Sequence, residues 1–271
     1  MSLSPKTVSL VELTAQSAPV DSVLSELGAF TRAVGASPLL ARTLAQADLP
    51  EENKKALVSD VVGGGFAPQT VDLIVSGASN ASDSRSVVSA LFDALSELSF
   101  VSAERTTASS SGGHDLKAVE QQLLDMADIV SNSEELRDAF ANPGIGDEAK
   151  VKVLAELLGS RTPVALREMS LTAISLTHGR GVDALLRERA ELAASRRNAA
   201  IAVIRSAVEL DDARKQRLLA ALSSTAGRDI EGRFLVDSTI IGSLVVRIGD
   251  EVLDGSVRHK LQQAREALVG A

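Results

Sequence analysis

The sequence of 271 residues contains no cysteine, no tryptophan and no tyrosine, and its only aromatic residues are six phenylalanines. The absence of cysteine excludes disulfides, cysteine-ligated zinc and iron–sulfur sites, and thiol nucleophiles. Six scattered phenylalanines cannot form a platform on which nucleic-acid bases stack. A net charge of −8 also disfavours nucleic acid as a partner, because phosphate binding depends on Lys and Arg.

Long apolar runs are missing as well. No stretch approaches the roughly 20 apolar residues that a membrane-spanning helix needs, and the N-terminus lacks the basic and apolar regions of a signal peptide. We therefore expect a cytoplasmic protein without direct membrane insertion, which leaves docking onto a membrane complex open. The excess of acidic side chains lies within residues 1–198, whereas residues 199–271 carry 10 acidic and 10 basic side chains.

An internal repeat organises the first two thirds of the chain. Ser37 aligns with Ser133 without gaps, at an offset of 96 residues, and the alignment extends in both directions. Apolar residues occupy the same aligned positions in both copies, as in the pairs Leu44 with Phe140 and Leu57 with Val153. A lysine pair, Lys54 with Lys150, is also kept.

Each copy predicts the same series of helices. An amphipathic helix comes first, a short helix capped by Ser37 or Ser133 follows, and a third helix runs from Glu51 to Gly63 or from Asp147 to Gly159. A last helix, near 86–104 in the first copy, is followed by the linker-like run TTASSSGG at 106–113. The repeat therefore predicts two helical bundles in tandem.

The pattern changes after residue 198. Three β-rich segments with a helix after Asp211, and a terminal helix from Ser256, predict a small α+β domain. The predicted fold class is thus mainly α with a smaller α+β domain, divided into residues 1–110, 111–198 and 199–271.

Local motifs indicate no catalytic, cofactor or metal site. The run Gly144, Gly146, Ala149 has the spacing of a dinucleotide loop, but no predicted strand precedes it, so a helix–helix loop is favoured. The three histidines, His114, His178 and His259, lack metal-ligand spacing and are expected to be solvated. The amphipathic helices instead favour binding of a partner helix in a groove.

The C-terminal segment resembles the signature of the delta subunit of F-type ATP synthases, the subunit called OSCP in mitochondria. The resemblance rests on Asp237, Ile240, Gly242, Leu244, Val246, Arg247, Gly249, Val252, Asp254, Gly255 and Ser256. The family pattern commonly has two glycines where this chain has Gly242-Ser243. The full length resembles an actinobacterial form in which the helical bundle is duplicated.

The resemblance implies a non-catalytic stator subunit on the cytoplasmic face of the cell membrane. In this family the bundle holds N-terminal helices of alpha subunits, and the C-terminal domain joins the C-terminal region of the b subunit, so that proton-driven rotation is coupled to ATP synthesis. We expect the second bundle to bind the alpha helix, with Leu123, Leu136, Leu154 and Leu157 as core or groove positions. The first bundle would hold a second alpha helix or brace the b subunit. A helical adaptor unrelated to ATP synthase is the alternative.

Overall fold

The computed structural model describes residues 3–17, 19–79, 81–109, 116–142, 144–159, 162–176, 181–237, 240, 244–248 and 251–254. The chain divides into two compact units, Met1–Ala190 and Glu191–Ala271. Described residues of the first unit form helices and loops, and the second contains a four-stranded sheet. This confirms the predicted fold class.

The helical unit contains both copies of the repeat. The first copy comprises α1 (Pro5–Ser17), α2 (Val20–Ala36), α3 (Pro38–Leu44), α4 (Glu51–Val61), α5 (Pro68–Ala78) and α6 (Ser84–Ser109). The second comprises α7 (Leu116–Asn132), α8 (Glu134–Ala141), α9 (Asp147–Leu158), α10 (Val164–Ile174) and α11 (Val182–Arg196), whose last residues belong to the second unit.

Local sequence signals set the predicted helix ends. The hydroxyls of Ser37 and Ser133 accept hydrogen bonds from the third backbone N–H beyond them, at 3.4 and 3.2 Å. Gly159 ends α9 with a φ of 69°, a conformation that glycine adopts without steric cost. Gly146 caps the start of α9, so this segment is the predicted helix–helix loop.

Three helices were absent from the prediction, and one is longer than predicted. Helices α1 and α10 are less amphipathic than α2 and α7, whereas α5 is about as amphipathic as α2. Helix α6 continues to Ser109, through half of the predicted linker. Thr, Ala and Ser are compatible with a helix, whereas Gly112 and Gly113 lie beyond its end.

Helix α6 is the core helix shared by both copies. It packs against α1, α2, α3 and α5 of the first copy and against α7 and α10 of the second. The predicted stripe of Val88, Leu91, Leu95 and Leu98 is buried, but so are Phe92 and Phe100, which face other directions. A helix surrounded by protein is apolar on several faces. The two copies consequently form one packing unit, and their predicted division at residue 110 stays a prediction.

The apolar character of α6 also differs from the expectation stated above for membrane spans. Residues 84–105 are long and apolar enough to cross a membrane by length and composition alone. However, 72% of the apolar window is buried inside the helical unit. Burial against both copies explains this composition without a bilayer.

Helices α2 and α10 bring the two copies into close contact. A Cβ atom on Gly28 would lie 2.4 Å from Oε2 of Glu168, and one on Gly35 would lie 3.0 Å from Cβ of Ser175. Arg32 donates a hydrogen bond of 2.7 Å to Glu168 and one of 3.3 Å to Thr172. The small residue Gly28 on α2 therefore leaves room for the partly buried ion pair of Arg32 with Glu168.

A second ion pair joins α6 to α11. The guanidinium of Arg189 lies 2.6 Å from Asp93, with side-chain exposures of only 5% and 11%, and 4.6 Å from the ring centre of Phe92. The same guanidinium contacts Glu188 at 3.0 Å. Arg189 is thus fixed to the shared helix by charge and by a cation–π contact.

The second unit is a sheet with the strand order β2-β1-β3-β4. The strands are β1 (Ala199–Ser206), β2 (Asp229–Val236), β3 (Leu244–Ile248) and β4 (Glu251–Asp254), and α12 (Asp212–Ala226) connects β1 to β2. Asp211 caps α12 as predicted, at 2.8 Å from the N–H of Arg214. The strands β1 and β2 are parallel, which requires such a crossover, whereas β3 runs antiparallel to β1 and β4.

One face of this sheet forms the core of the second unit. Ala202, Ile204, Ile230 and Val246 are buried there, and three leucines of α12 pack against them, Leu218, Leu219 and Leu222. The predicted third strand is in fact the hairpin of β3 and β4. The predicted helix from Ser256 lies outside the described residues.

The contact at Gly28 yields a stability prediction. Gly28→Leu introduces the residue found at the matching position 124 and should lower the free energy of unfolding by about 2–3 kcal/mol, because overpacking displaces the Glu168 carboxylate. Urea denaturation of the full chain measures this. Ala29→Leu, at an exposed position of the same helix, is the control and should change stability by less than about 0.5 kcal/mol. Equal stability of G28L and the unchanged chain would contradict the close packing.

The coupling energy of a buried ion pair should exceed that of an exposed ion pair in double-mutant cycles. For Asp93→Ala and Arg189→Ala we expect a coupling energy of about 1–3 kcal/mol, because both groups are buried. The exposed pair Lys55 and Asp72, 2.5 Å apart, is the control and should give less than about 1 kcal/mol. Thermal or urea unfolding of the four variants in each cycle provides the values. Equal coupling in both cycles would show that burial does not set the strength of the Arg189 pair.

Candidate helix-binding surfaces

The four leucines predicted for the second copy do not line one groove. Leu123 on α7 and Leu154 on α9 are fully buried and belong to the core. Leu136 on α8 is half-buried, and Leu157 near the end of α9 is 48% exposed. Of these four leucines, Leu136 and Leu157 are the two that expose apolar surface.

An apolar strip remains exposed on α9. Val153 and Leu157 are four residues apart, so they lie on the same side of the helix, and both are exposed. The charged residues Lys152 and Glu156 are exposed beside them. An amphipathic helix could bury this pair while its polar residues meet the charged neighbours.

The first copy presents the matching position in the same way. Val61 on α4, which aligns with Leu157, is 50% exposed. Lys54 and Lys150, the matched lysines of α4 and α9, are both buried. The ammonium of Lys150 donates a hydrogen bond of 2.9 Å to the carbonyl of Phe140, at the C-terminal end of α8, where a cation is favoured. In both α4 and α9, the side that carries the matched lysine is therefore buried, and the side that carries Val61 or Leu157 is exposed.

Electrostatic contacts fix α4 to its neighbours. The Asp72 carboxylate holds the pKa of Lys55 above its usual value, and the hydrogen bond from Lys6 lowers the pKa of Glu51. Burial lowers the pKa of Lys54. These shifts follow from pairing and packing between helices, and they need no catalytic role.

The predicted C-terminal signature is described only in part. The backbone N–H of Asp237 donates a hydrogen bond of 2.8 Å to the carbonyl of Ser206, which fixes the end of β2 beside β1. Arg247 is exposed on β3, and Asp254 is the last residue of β4. Gly242, Gly249, Gly255 and Ser256 lie outside the described residues.

Titratable residues form no metal cluster in the described part of the chain. No group of three or more His, Cys, Asp or Glu residues there is arranged to hold a metal ion. The histidines at 114, 178 and 259 lie outside the described residues.

Sequence reasoning missed the contacts between the copies. The repeat contained one signal for them, because Gly28 stands in an amphipathic helix where the second copy has Leu124. A glycine inside a helix often marks a close approach of another element. The partner of that approach, Glu168 on α10, could not be identified from spacing alone.

A family model matches residues of both the helical unit and the C-terminal unit. The family model described as the ATP synthase delta (OSCP) subunit matches residues 7–82 and 103–268. The first range lies in the first copy, and the second range covers most of the second copy and the C-terminal unit.

Relatives in actinobacteria match along most of their length. The ATP synthase subunit delta of Streptomyces griseus is 34% identical over 247 residues, which cover 90% of this chain and 88% of that protein. The subunit delta of Kineococcus radiotolerans is 32% identical over 260 residues, which cover 96% and 92%.

A chain in the structure of the Toxoplasma gondii mitochondrial ATP synthase hexamer is similar at 23% identity and a TM-score of 0.38, with 63% of this chain and 95% of that chain covered. The family match and the actinobacterial relatives lead to the same conclusion. The chain belongs to the ATP synthase delta (OSCP) subunit family.

Proposed function

We propose that this chain, as the peripheral-stalk subunit of an F-type ATP synthase, connects the catalytic head to the b stalk through two separate surfaces. The helical unit binds an N-terminal helix of the alpha subunit, and the C-terminal unit binds the C-terminal region of b. The subunit is non-catalytic and acts at the cytoplasmic face of the membrane. Its connection keeps the head from turning with the rotor, so that proton flow is coupled to ATP synthesis.

The exposed apolar strip of α9 is the observation that supports the alpha-binding surface. Val153 and Leu157 are accessible although a full hydrophobic core lies beneath them. Each apolar side chain that a partner buries contributes about 1.5–3 kcal/mol. Val153 and Leu157 expose 42% and 48% of their surface, so they contribute only part of the binding free energy and further contacts must supply the rest. Family membership supports a partner within the ATP synthase over an unrelated adaptor role.

The second copy is the proposed seat of the alpha helix, and its match in the first copy allows a direct comparison. Leu157→Glu should weaken binding of an alpha N-terminal peptide to the full chain by about 10- to 100-fold, because a carboxylate would be buried in an apolar contact. Val61→Glu makes the same change on α4 and should leave this affinity nearly unaltered. Isothermal titration measures both.

The two variants also distinguish the alternatives. Loss of binding in Val61→Glu alone would assign the alpha helix to the first copy. Unchanged binding in both variants would exclude the outer faces of α4 and α9. The full chain is required for these titrations, because α6 belongs to the packing of both copies.

Attachment to b is tested by removing the C-terminal unit. A chain without residues 199–271 should no longer bind the b subunit in a pull-down, while it still binds the alpha peptide. The alpha peptide is the internal control for folding of the helical unit, which is compact by itself. If the shortened chain retains b, the attachment lies elsewhere.

A further inference from the structure

The sheet of the second unit has a second face, opposite α12, with an unusual composition. Side chains alternate along a strand, so residues adjacent to those in the core point to this other face. Its central residues, which we call the arginine face, are Val203, Arg205, Arg233, Leu235, Val245 and Arg247. Arg205 and Arg247 are exposed, and the other four are half-buried.

Strand register places these six residues in two rows. Val203 on β1 lies between Arg233 on β2 and Arg247 on β3. In the next row, Arg205 on β1 lies between Leu235 and Val245. Neighbouring strands are about 4.8 Å apart and the rows about 6.6 Å apart. Basic and aliphatic side chains therefore alternate in both directions.

Acidic residues belong to this face as well, because Asp254 on β4 is the register partner of Val245. Glu231 precedes Arg233 by one row on β2, and its carboxylate is 3.0 Å from the guanidinium of Arg197. Arg205 and Arg247 form no ion pair among the side chains that the structure describes, which do not include those of residues 251–254. Arg205 and Arg247 are consequently the exposed cationic groups through which this face can bind a carboxylate, on a protein with a net charge of −8.

This composition selects the kind of partner. Guanidinium groups bind carboxylates through paired hydrogen bonds. The aliphatic residues between them require apolar side chains, which a polyphosphate backbone or a row of lipid headgroups does not supply. An amphipathic helix supplies both, because acidic and aliphatic residues can share one side at spacings of three and four.

The C-terminal residues of this chain do not have that chemistry. Residues 255–271 carry Arg258, Lys260 and Arg265 against a single acid, Glu266. Charge repulsion disfavours this segment as the occupant of the arginine face. The complementary partner is acidic and comes from another chain.

We propose that the arginine face binds an acidic amphipathic helix across β2, β1 and β3. This inference rests on the proposed function, under which the helix belongs to the C-terminal region of b. It goes further by naming the surface, the chemistry of the contact and the sign of the charge on the partner.

The test reverses the charge of the two exposed arginines in the full chain. The Arg205→Glu, Arg247→Glu double variant should weaken binding of the b subunit by about tenfold or more, and the loss should shrink at high salt. Arg214→Glu with Arg217→Glu, on exposed positions of α12, is the matched control and should bind b nearly as the unchanged chain does. Replacing acidic residues of the b segment by lysine should restore binding to the double variant.

The possible outcomes distinguish failure of the arginine face from failure of the proposed function. If the unchanged chain does not bind b, the proposed attachment fails. If it binds b and the double variant binds equally well, the attachment stands and the arginine face is overturned as its site. Salt-sensitive binding of a 20-base-pair DNA duplex or of vesicles containing phosphatidylserine, lost in the double variant while b binding persists, would assign the face to phosphate ligands and overturn the inference.

Discussion

Burial of α6 by both copies of the repeat is the constraint on which the helical unit depends. A helix with apolar residues on several faces must be surrounded, and neither copy surrounds it alone. Phe92 and Phe100 extend its buried surface beyond the stripe of Leu91 and Leu95. Both copies are therefore packed on the same helix within one compact unit.

Contacts between the copies are polar where they are closest. Gly28 admits the carboxylate of Glu168, and Arg32 neutralises it inside the contact. A buried charge without its partner would carry a desolvation cost of several kcal/mol, so the pair specifies a single alignment of α2 on α10. Such a fixed alignment suits a connection that must transmit force. The absence of cysteine and the scarcity of aromatic residues fit a body built by aliphatic packing.

In the second unit, the two faces of one sheet have different roles. Ile204 and its neighbours face α12 and form a core, whereas Arg205 and Arg247 face away from it. Because side chains alternate along each strand, the same strands supply both a core and a charged surface. The helical unit, by contrast, leaves residues such as Leu157 exposed on helices whose inner faces are already packed.

The sequence by itself determined the repeat, the capped helix starts at Ser37 and Ser133, and the change to an α+β unit, because these depend on local periodicity and backbone chemistry. It also predicted the family through the residues after Asp237. It could not separate core from surface among Leu123, Leu154 and Leu157, since each is an apolar residue of an amphipathic helix and spacing does not show which of them a neighbouring helix covers. Only the tertiary structure decided which were covered, that α6 serves both copies, and that arginines from three strands share one face. Those outcomes depend on contacts between residues far apart in the chain, which spacing alone does not encode.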